Sequence, residues 1–318
     1  MACSAPPPRR RPAGEAAAAV APGAPVAVPR PGCGHRRAAI LAAGLALAAG
    51  ACRPRTPPPD LSLDPRALLA QVERTQAAVR RVQGEARVRV QAPGGSGSLR
   101  QFLAAERPDK LHVEALDFFG NVAAVLVAGG GRFALYDARE KVLYRGLATP
   151  ENLARLVPLP LPAEDLVEIL CGSAPLLAGE PLEAAPGGGF VSLRLAREGA
   201  AQVLRIGAQA TVERSSLAIA GGIGPGSYDL AFERHRLMGG AWFPLEVKLR
   251  SDPARVRLDL TWTEAEVNGE GSPTLFELET PRGARVVEVG AGNIPPAELF
   301  RGTEPPPDHQ DHGASRSD

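Results

Sequence analysis

From residue 64 onward the apolar positions change period once, dividing the chain into an opening helix and a long series of strands. Asp64-Pro65 reads as a helix start, with an acceptor side chain at the N-cap and Pro where a missing N–H costs nothing. Leu68, Leu69, Val72, Val79 and Val82 recur at helical spacing, Glu73, Arg74, Arg80 and Arg81 fall elsewhere, and Gly84 is expected to end the helix as its C-cap. The period then becomes two: Ala86, Val88 and Val90 alternate with Glu85, Arg87 and Arg89. Runs at 99–106, 110–116, 122–128, 132–136 and 141–145 follow, separated by Gly-, Pro-, Asn- and Asp-containing turns. Short runs between turn residues predict an antiparallel meander, packed on one face and wetter on the other.

Two short helices interrupt the strands, one opened by Thr149-Pro150 and one over 163–170 after Pro162, the second closed by Gly172. Strands resume at 190–196, 202–207, 211–218, 227–233, 242–250, 255–263, 275–279 and 285–289. The expected class is mostly β, a curved unclosed antiparallel barrel of about 11–12 strands with helices covering one side. The folded domain is expected over 64–293. Residues 52–63, with Pro54 and Pro57-Pro58-Pro59, read as an extended tether of about 3 Å per residue. Residues 294–318, polar and Pro-rich, read as a disordered tail.

The N-terminus changes this picture by adding an address. Arg36-Arg37 precedes an uncharged Ala/Leu-rich run, 38–51, and then Cys52. Fourteen residues make roughly 21 Å of helix, too short for a hydrocarbon core of ~30 Å, so the pattern is that of a secretory signal rather than a span. Leu47-Ala48-Ala49-Gly50-Ala51-Cys52 resembles the lipobox of bacterial lipoproteins, which implies cleavage after residue 51 and a lipid anchor at Cys52. The long Pro/Ala/Arg-rich stretch before Arg36 suggests a translation start assigned too far upstream. Six Arg and one Glu leave with residues 1–51, so the formal charge falls from +1 to −4. That balance, without basic runs interleaved with aromatics, excludes nucleic acid as the expected partner. Cys171 is then left without an intramolecular partner, in an apolar run where it serves as a small hydrophobe.

The order of elements resembles the LolA/LolB superfamily of periplasmic lipoprotein carriers, and more closely the LolB-like outer-membrane lipoproteins. The residues that carry the likeness are Gly84 before an alternating strand, Leu116-Asp117-Phe118-Phe119-Gly120-Asn121, and the Pro-rich helical segment from Leu153 to Gly172. Val267-Asn268, Phe276-Glu277-Leu278 and Pro281-Arg282-Gly283 match the closing strands. The resemblance implies an apolar cavity between sheet and helices that binds an acyl ligand, in lipoprotein or lipid localisation to the outer membrane. Its implied lining is Val88, Val90, Leu111, Val113, Val125, Val127 and Leu135, with Leu68, Val72 and Val79 from the covering helix. It also implies a periplasm-facing outer-membrane location, with acyl chains or lipoproteins as partners and the membrane reached through Cys52. The same residues would equally form a filled core, which leaves a non-enzymatic structural or adaptor lipoprotein as the alternative. Phe118 and Phe119 at a turn tip either meet a membrane or partner, as the matching LolB loop does, or pack under the sheet edge.

No catalytic set or cofactor motif emerges. Gly94-Gly95-Ser96-Gly97-Ser98 lacks the strand–turn–helix setting of a nucleophile elbow, and 222–226 fails dinucleotide spacing. His309 and His312 fall in the expected tail, where nothing would hold a metal's ligands in geometry. His112 and Glu114 share one strand face, and with His235 they would need a common cleft to act as a hydrolase site.

Overall fold

The computed structural model of the protein describes Pro58 and residues 60–290, apart from 94, 118, 155–159 and 221–225. The expected signal segment, Cys52, Phe118 and the expected tail lie outside the described residues.

Helix α1 runs Pro65–Ala77, with Asp64 as N-cap accepting from Ala67 N at 2.7 Å. Leu68 and Val72, four residues apart, put one stripe into the core. The helix stops well short of Gly84, because Val79 and Val82 do not continue it. Asn268 Oδ1 accepts from Arg80 N at 2.9 Å and Arg81 N at 3.4 Å, and Asn268 Nδ2 donates to Ala78 O at 2.8 Å. A residue far along the chain thus satisfies the backbone where helix gives way to strand. Gly84 lies within the first strand at φ +150°, where an added Cβ would sit 2.2 Å from the Glu264 carbonyl oxygen. The glycine answers a close backbone crossing, not a helix end.

The first meander comprises β1 (Arg81–Ala92), β2 (Gly95–Glu106), β3 (Lys110–Leu116), β4 (Val122–Gly129), β5 (Arg132–Asp137) and β6 (Val142–Leu147). Helices α2 (Pro150–Leu153) and α3 (Ala163–Leu170) follow. The second meander comprises β7 (Glu180–Pro186), β8 (Val191–Arg197), β9 (Ala200–Ile206), β10 (Val212–Ile219), β11 (Tyr228–Met238), β12 (Ala241–Ser251) and β13 (Val256–Trp262). The last strands are the two-residue β14 (Glu266–Val267) and β15 (Arg285–Val289).

All belong to one 15-stranded sheet, ordered β15-β6-β5-β4-β3-β2-β1-β13-β12-β11-β10-β9-β8-β7, with β14 paired to β1. The meanders join where β1 pairs antiparallel with β13, Val88 opposite Leu260. The path ends at β15 and β7, so the sheet is unclosed. The edge strand β15 runs parallel to β6, a departure from the antiparallel rule elsewhere.

The sheet has more strands than the pattern predicts. Pro181 and Pro186 hide β7, which sits at an edge where missing donors are tolerated. The strand expected at 275–279 is instead a 3₁₀ turn, Pro273–Phe276, capped by Ser272. The main core lies on the face covered by helices: Leu68 and Val72 of α1, Leu153 of α2 and Leu166, Val167 and Ile169 of α3 meet the inward rows of both meanders. A second, small cluster of Val125, Val127, Ala134 and Leu143 lies on the opposite face, beneath Leu278 and Ala284. β4 is therefore buried on both faces, which is why it reads as a continuous apolar run rather than an alternating one.

Candidate functional site

An apolar cavity of about 70 Å³ lies between α3 and the centre of the sheet. Its floor comes from adjacent strands: Val88 of β1, Gln101 and Leu103 of β2, Leu111 and Val113 of β3, and the β12 and β13 leucines with Val247. Its roof is Leu166, Ile169 and Leu170 of α3, at i, i+3 and i+4, so one helical face spans the opening. Gln101 is the polar member of this lining.

The roof is a short helix held by its ends. Pro162 precedes it, and Gly172 at φ +75° follows Cys171. Added to Gly172, a Cβ would lie 2.3 Å from Pro244 Cδ, so the chain leaves α3 in close contact with β12. Glu168 forms an ion pair with Arg107, which also donates from Nε to Val79 O at 2.7 Å and from Nη2 to Gln76 O and Ser173 Oγ, each at 3.1 Å. One guanidinium thus ties the C-terminal ends of α1 and α3 together, where helix carbonyls favour a cation. Burial lowers the Arg107 pKa from its ordinary value. Burial also pushes the Cys171 thiol up to about 11, against the opposing influence of Arg107. At the N-terminal end of α3, burial and then the neighbouring Glu164 raise the Asp165 carboxyl. Tyr228 is raised likewise by burial and then by Asp165.

Of the residues expected to line a cavity, Val88, Leu111 and Val113 do so. Val90 and Leu135 belong to the same core but stand away from the cavity, as do Leu68 and Val72, carried by the helix that packs over β7 and β8. Val79 is buried in the link after α1 rather than on the helix, and its carbonyl is an Arg107 ligand. Val125 and Val127 point to the opposite face, since β4 sends alternate side chains to opposite sides. The covering helix over the cavity is α3, not α1. Gln101, Leu103, the α3 residues and the β12–β13 leucines were missed; the clean alternation at 255–260 was the available signal for the last.

Phe119 is 85% exposed. Its turn is organised by Asp117, whose Oδ1 accepts from Phe119 N at 2.9 Å and Asn121 N at 2.8 Å, while Oδ2 accepts from Asn121 Nδ2 at 3.2 Å. Those hydrogen bonds, from Asn121 first, hold the Asp117 carboxyl below its usual range. The ring is presented on a fixed turn at the end of the sheet.

His112 does not meet His235. Its Nδ1 faces Leu275 O at 2.6 Å, pinning the 3₁₀ turn to the sheet, and its Nε2 faces Glu114 of the same strand at 2.9 Å, so both ring nitrogens are occupied. His235 is on β11, with four strands between it and β3 in the sheet order, and burial lowers its pKa against the pull of Glu213. Among the described residues no group of His, Cys, Asp and Glu could hold a metal ion. A second concavity of about 400 Å³ lies beside α1, lined by Asp60, Leu61, Gln71, Arg74, Gln209 and Trp242 among others; it is wide and of mixed polarity.

No protein-family model matches the sequence, and no curated protein matches it. Solved structures do. An outer membrane lipoprotein-sorting protein domain from Vibrio parahaemolyticus superposes with a TM-score of 0.50 at 12% identity, over 67% of this chain and 97% of that one. A DUF1329 family protein from Desulfovibrio piger gives 0.48 at 12% identity, over 68% and 98%. A LolA superfamily protein from Nitrosomonas europaea gives 0.47 at 10% identity, over 65% and 96%. At such identity the likeness speaks for architecture alone: the chain has a LolA/LolB-like fold, a large unclosed sheet with helices on one side.

Proposed function

We propose that this protein is a lipoprotein anchored through Cys52 to the outer membrane, facing the periplasm, and that it binds an acyl chain beneath α3 in lipid or lipoprotein localisation. The observation that carries the reading is the cavity wall: a continuous apolar surface from five strands and a helix, with a single uncharged polar side chain in it. Such a wall suits a hydrocarbon and rejects ions, because an unpaired buried charge is costly. The lipoprotein-sorting domain of similar fold supports it.

The cavity is below the ~300–1,000 Å³ of ordinary ligand sites, so the described conformation is closed and α3 must shift for a chain to enter. The energies allow this. Ten buried CH₂ groups are worth roughly 8 kcal/mol at ~0.8 each. Exposing Leu166, Val167 and Ile169 fully would cost about 5–9 kcal/mol, which would cancel that gain. A helix that slides aside while keeping its apolar face on the ligand avoids most of the cost. Binding is therefore favourable as a hinged displacement, not as an undocking.

The small volume favours a second reading, an adaptor lipoprotein whose core is simply filled. Native mass spectrometry of the full chain purified from an envelope extract, followed by denaturing lipid analysis, separates the two. A stoichiometric acyl ligand is expected. A clean apo mass, unchanged after incubation with phospholipid and acylated peptide, would refute the acyl reading and leave the adaptor.

A further inference from the structure

The polar exception in the cavity has a specific position. Gln101 is only 5% exposed, and its amide makes no hydrogen bond among the described residues; its atoms are not fully enclosed, and the side chain lines the cavity. Leaving a buried amide without partners is unfavourable, and native chains rarely retain such a group without a use for it. On β2 it stands directly across from Ala86 of β1 and Ala115 of β3, both small and buried. The same cross-strand row continues past Ala86 to Trp262 of β13. Trp262 is 4% exposed, and its indole N–H is enclosed with no acceptor. One row on the core face thus holds two large side chains with unused hydrogen-bonding groups, flanking an alanine. Strand spacing of ~4.8 Å places their Cα atoms roughly 10 Å apart, with the fully buried Ala86 between them; of this row it is Gln101 that reaches the cavity.

We propose that Gln101 is the polar recognition group of this cavity and that its ligand is an uncharged acyl ester or acyl amide, whose carbonyl oxygen lodges against the Gln101 amide. The inference rests on the acyl-binding reading above and adds the headgroup chemistry to it. The carbonyl oxygen accepts from the Gln101 amide Nε2, while the enclosed Trp262 N–H on the same row stands outside the cavity wall. A free carboxylate is disfavoured because, among the described residues, no cationic side chain lines the cavity, Arg107 being committed to Glu168, Val79, Gln76 and Ser173. A bare hydrocarbon would bind but would leave the amide unsatisfied. An ester comes from a glycerolipid or wax and an amide from an N-acylated chain; both present the same carbonyl.

The test uses the full chain carrying Cys52→Ser and four ligands of 11 or 12 chain atoms: methyl decanoate, N-methyldecanamide, decanoate and undecane, each displacing Nile red. The ester or amide is expected to bind about 2- to 13-fold tighter than undecane, the worth of one neutral hydrogen bond, with decanoate weakest at pH 8. Gln101→Met, which keeps the shape, and Gln101→Leu should abolish that advantage, read as the ratio of ester or amide affinity to undecane affinity within each variant. Whichever of ester and amide binds better identifies the source. Retention of the advantage in both variants, equal binding of ester and hydrocarbon by the parent, or strongest binding of decanoate would overturn the proposal while leaving acyl binding intact. Binding of none of the four would overturn the acyl reading itself and this assignment with it.

Discussion

If α3 is the moving roof, cutting its polar tie should open it without unfolding the sheet. Glu168→Gln removes the charge that Arg107 meets and keeps the shape. The two side chains are 25% and 19% exposed, between the surface case, worth about 0–1 kcal/mol, and the fully buried case, where removing one partner costs about 3–5 kcal/mol. A loss of roughly 1–3 kcal/mol is therefore expected. Arg107 keeps its bonds to Val79, Gln76 and Ser173, so the end of α1 stays in place and the loss falls on α3. On a closed–open equilibrium that is about a 5- to 150-fold larger open population.

Cys171 reports that population. It directly follows the last residue of α3, is 1% exposed, and has its thiol pushed up to about 11 by burial, so it is doubly protected from reagents that need an accessible thiolate. With Cys3, Cys33 and Cys52 replaced by Ser, labelling of the remaining thiol at pH 8 measures opening whenever reclosing is faster than reaction. Glu168→Gln should accelerate labelling by the factor above, with a denaturant dependence much shallower than that of global unfolding. A rate within twofold of the parent, or one that follows global unfolding at every denaturant concentration, would refute the lid.

Three further outcomes are expected. Gln101→Leu, which replaces an unpartnered buried amide by a hydrocarbon of similar size, should stabilise the ligand-free chain by about 1–3 kcal/mol, seen as a rise of roughly 2–12 °C in Tm; a fall would mean that the amide has a partner. The Cys171 pKa is raised from 9.0 to about 11, so the folded state holds its proton more tightly than the unfolded state. The associated stability is complete below pH 9 and is lost as pH rises towards 11, by on the order of 2–3 kcal/mol. Urea melts at pH 8 and pH 10.5 should show a loss about 2 kcal/mol larger in the parent than in Cys171→Ala, which keeps the part due to the raised Tyr228. Gly84→Ala should destabilise by about 2–4 kcal/mol, since its Cβ would meet a backbone oxygen at a positive φ; a Tm within 1 °C of the parent would show that β1 can move away from Glu264.

Much of the architecture was legible because strands with one wet face alternate. Glu85–Arg89 and 255–260 announce themselves, and so do the glycine turns between β3, β4 and β5. What failed was governed by distant partners. The helix was extended to Gly84 because Val79 and Val82 keep its spacing, whereas Asn268, nearly 190 residues away, caps the turn into β1. β7 was hidden by its two prolines, and β14 is two residues long. The segment 275–279 has the composition of a strand but is fixed as a turn by His112, which accounts for a histidine that otherwise invited a catalytic reading.

The site was less legible than the fold, and the reason is physical. A filled core and a lipid cavity both need apolar side chains on the inward face of the sheet, so Val88, Leu111 and Val113 could be picked without saying which they serve. Val125 and Val127 went to the wrong side because β4 is covered on both faces, and a run without alternation carries no sign of direction. Hydrophobic residues could not break the tie, since hydrocarbon packs against hydrocarbon whether the partner is protein or ligand. A buried polar group can, because it has a definite partner or a definite cost. Gln101 shares one face of β2 with Leu99 and Leu103 and reads in the sequence as a stray polar residue on an apolar face. Only the pairing with Ala86 and Ala115, and beyond them Trp262, gives it an address in the molecule. A filled-core adaptor would gain from an apolar residue at that position, whereas a carrier of carbonyl-bearing acyl chains would need the amide, so position 101 is where the two readings part.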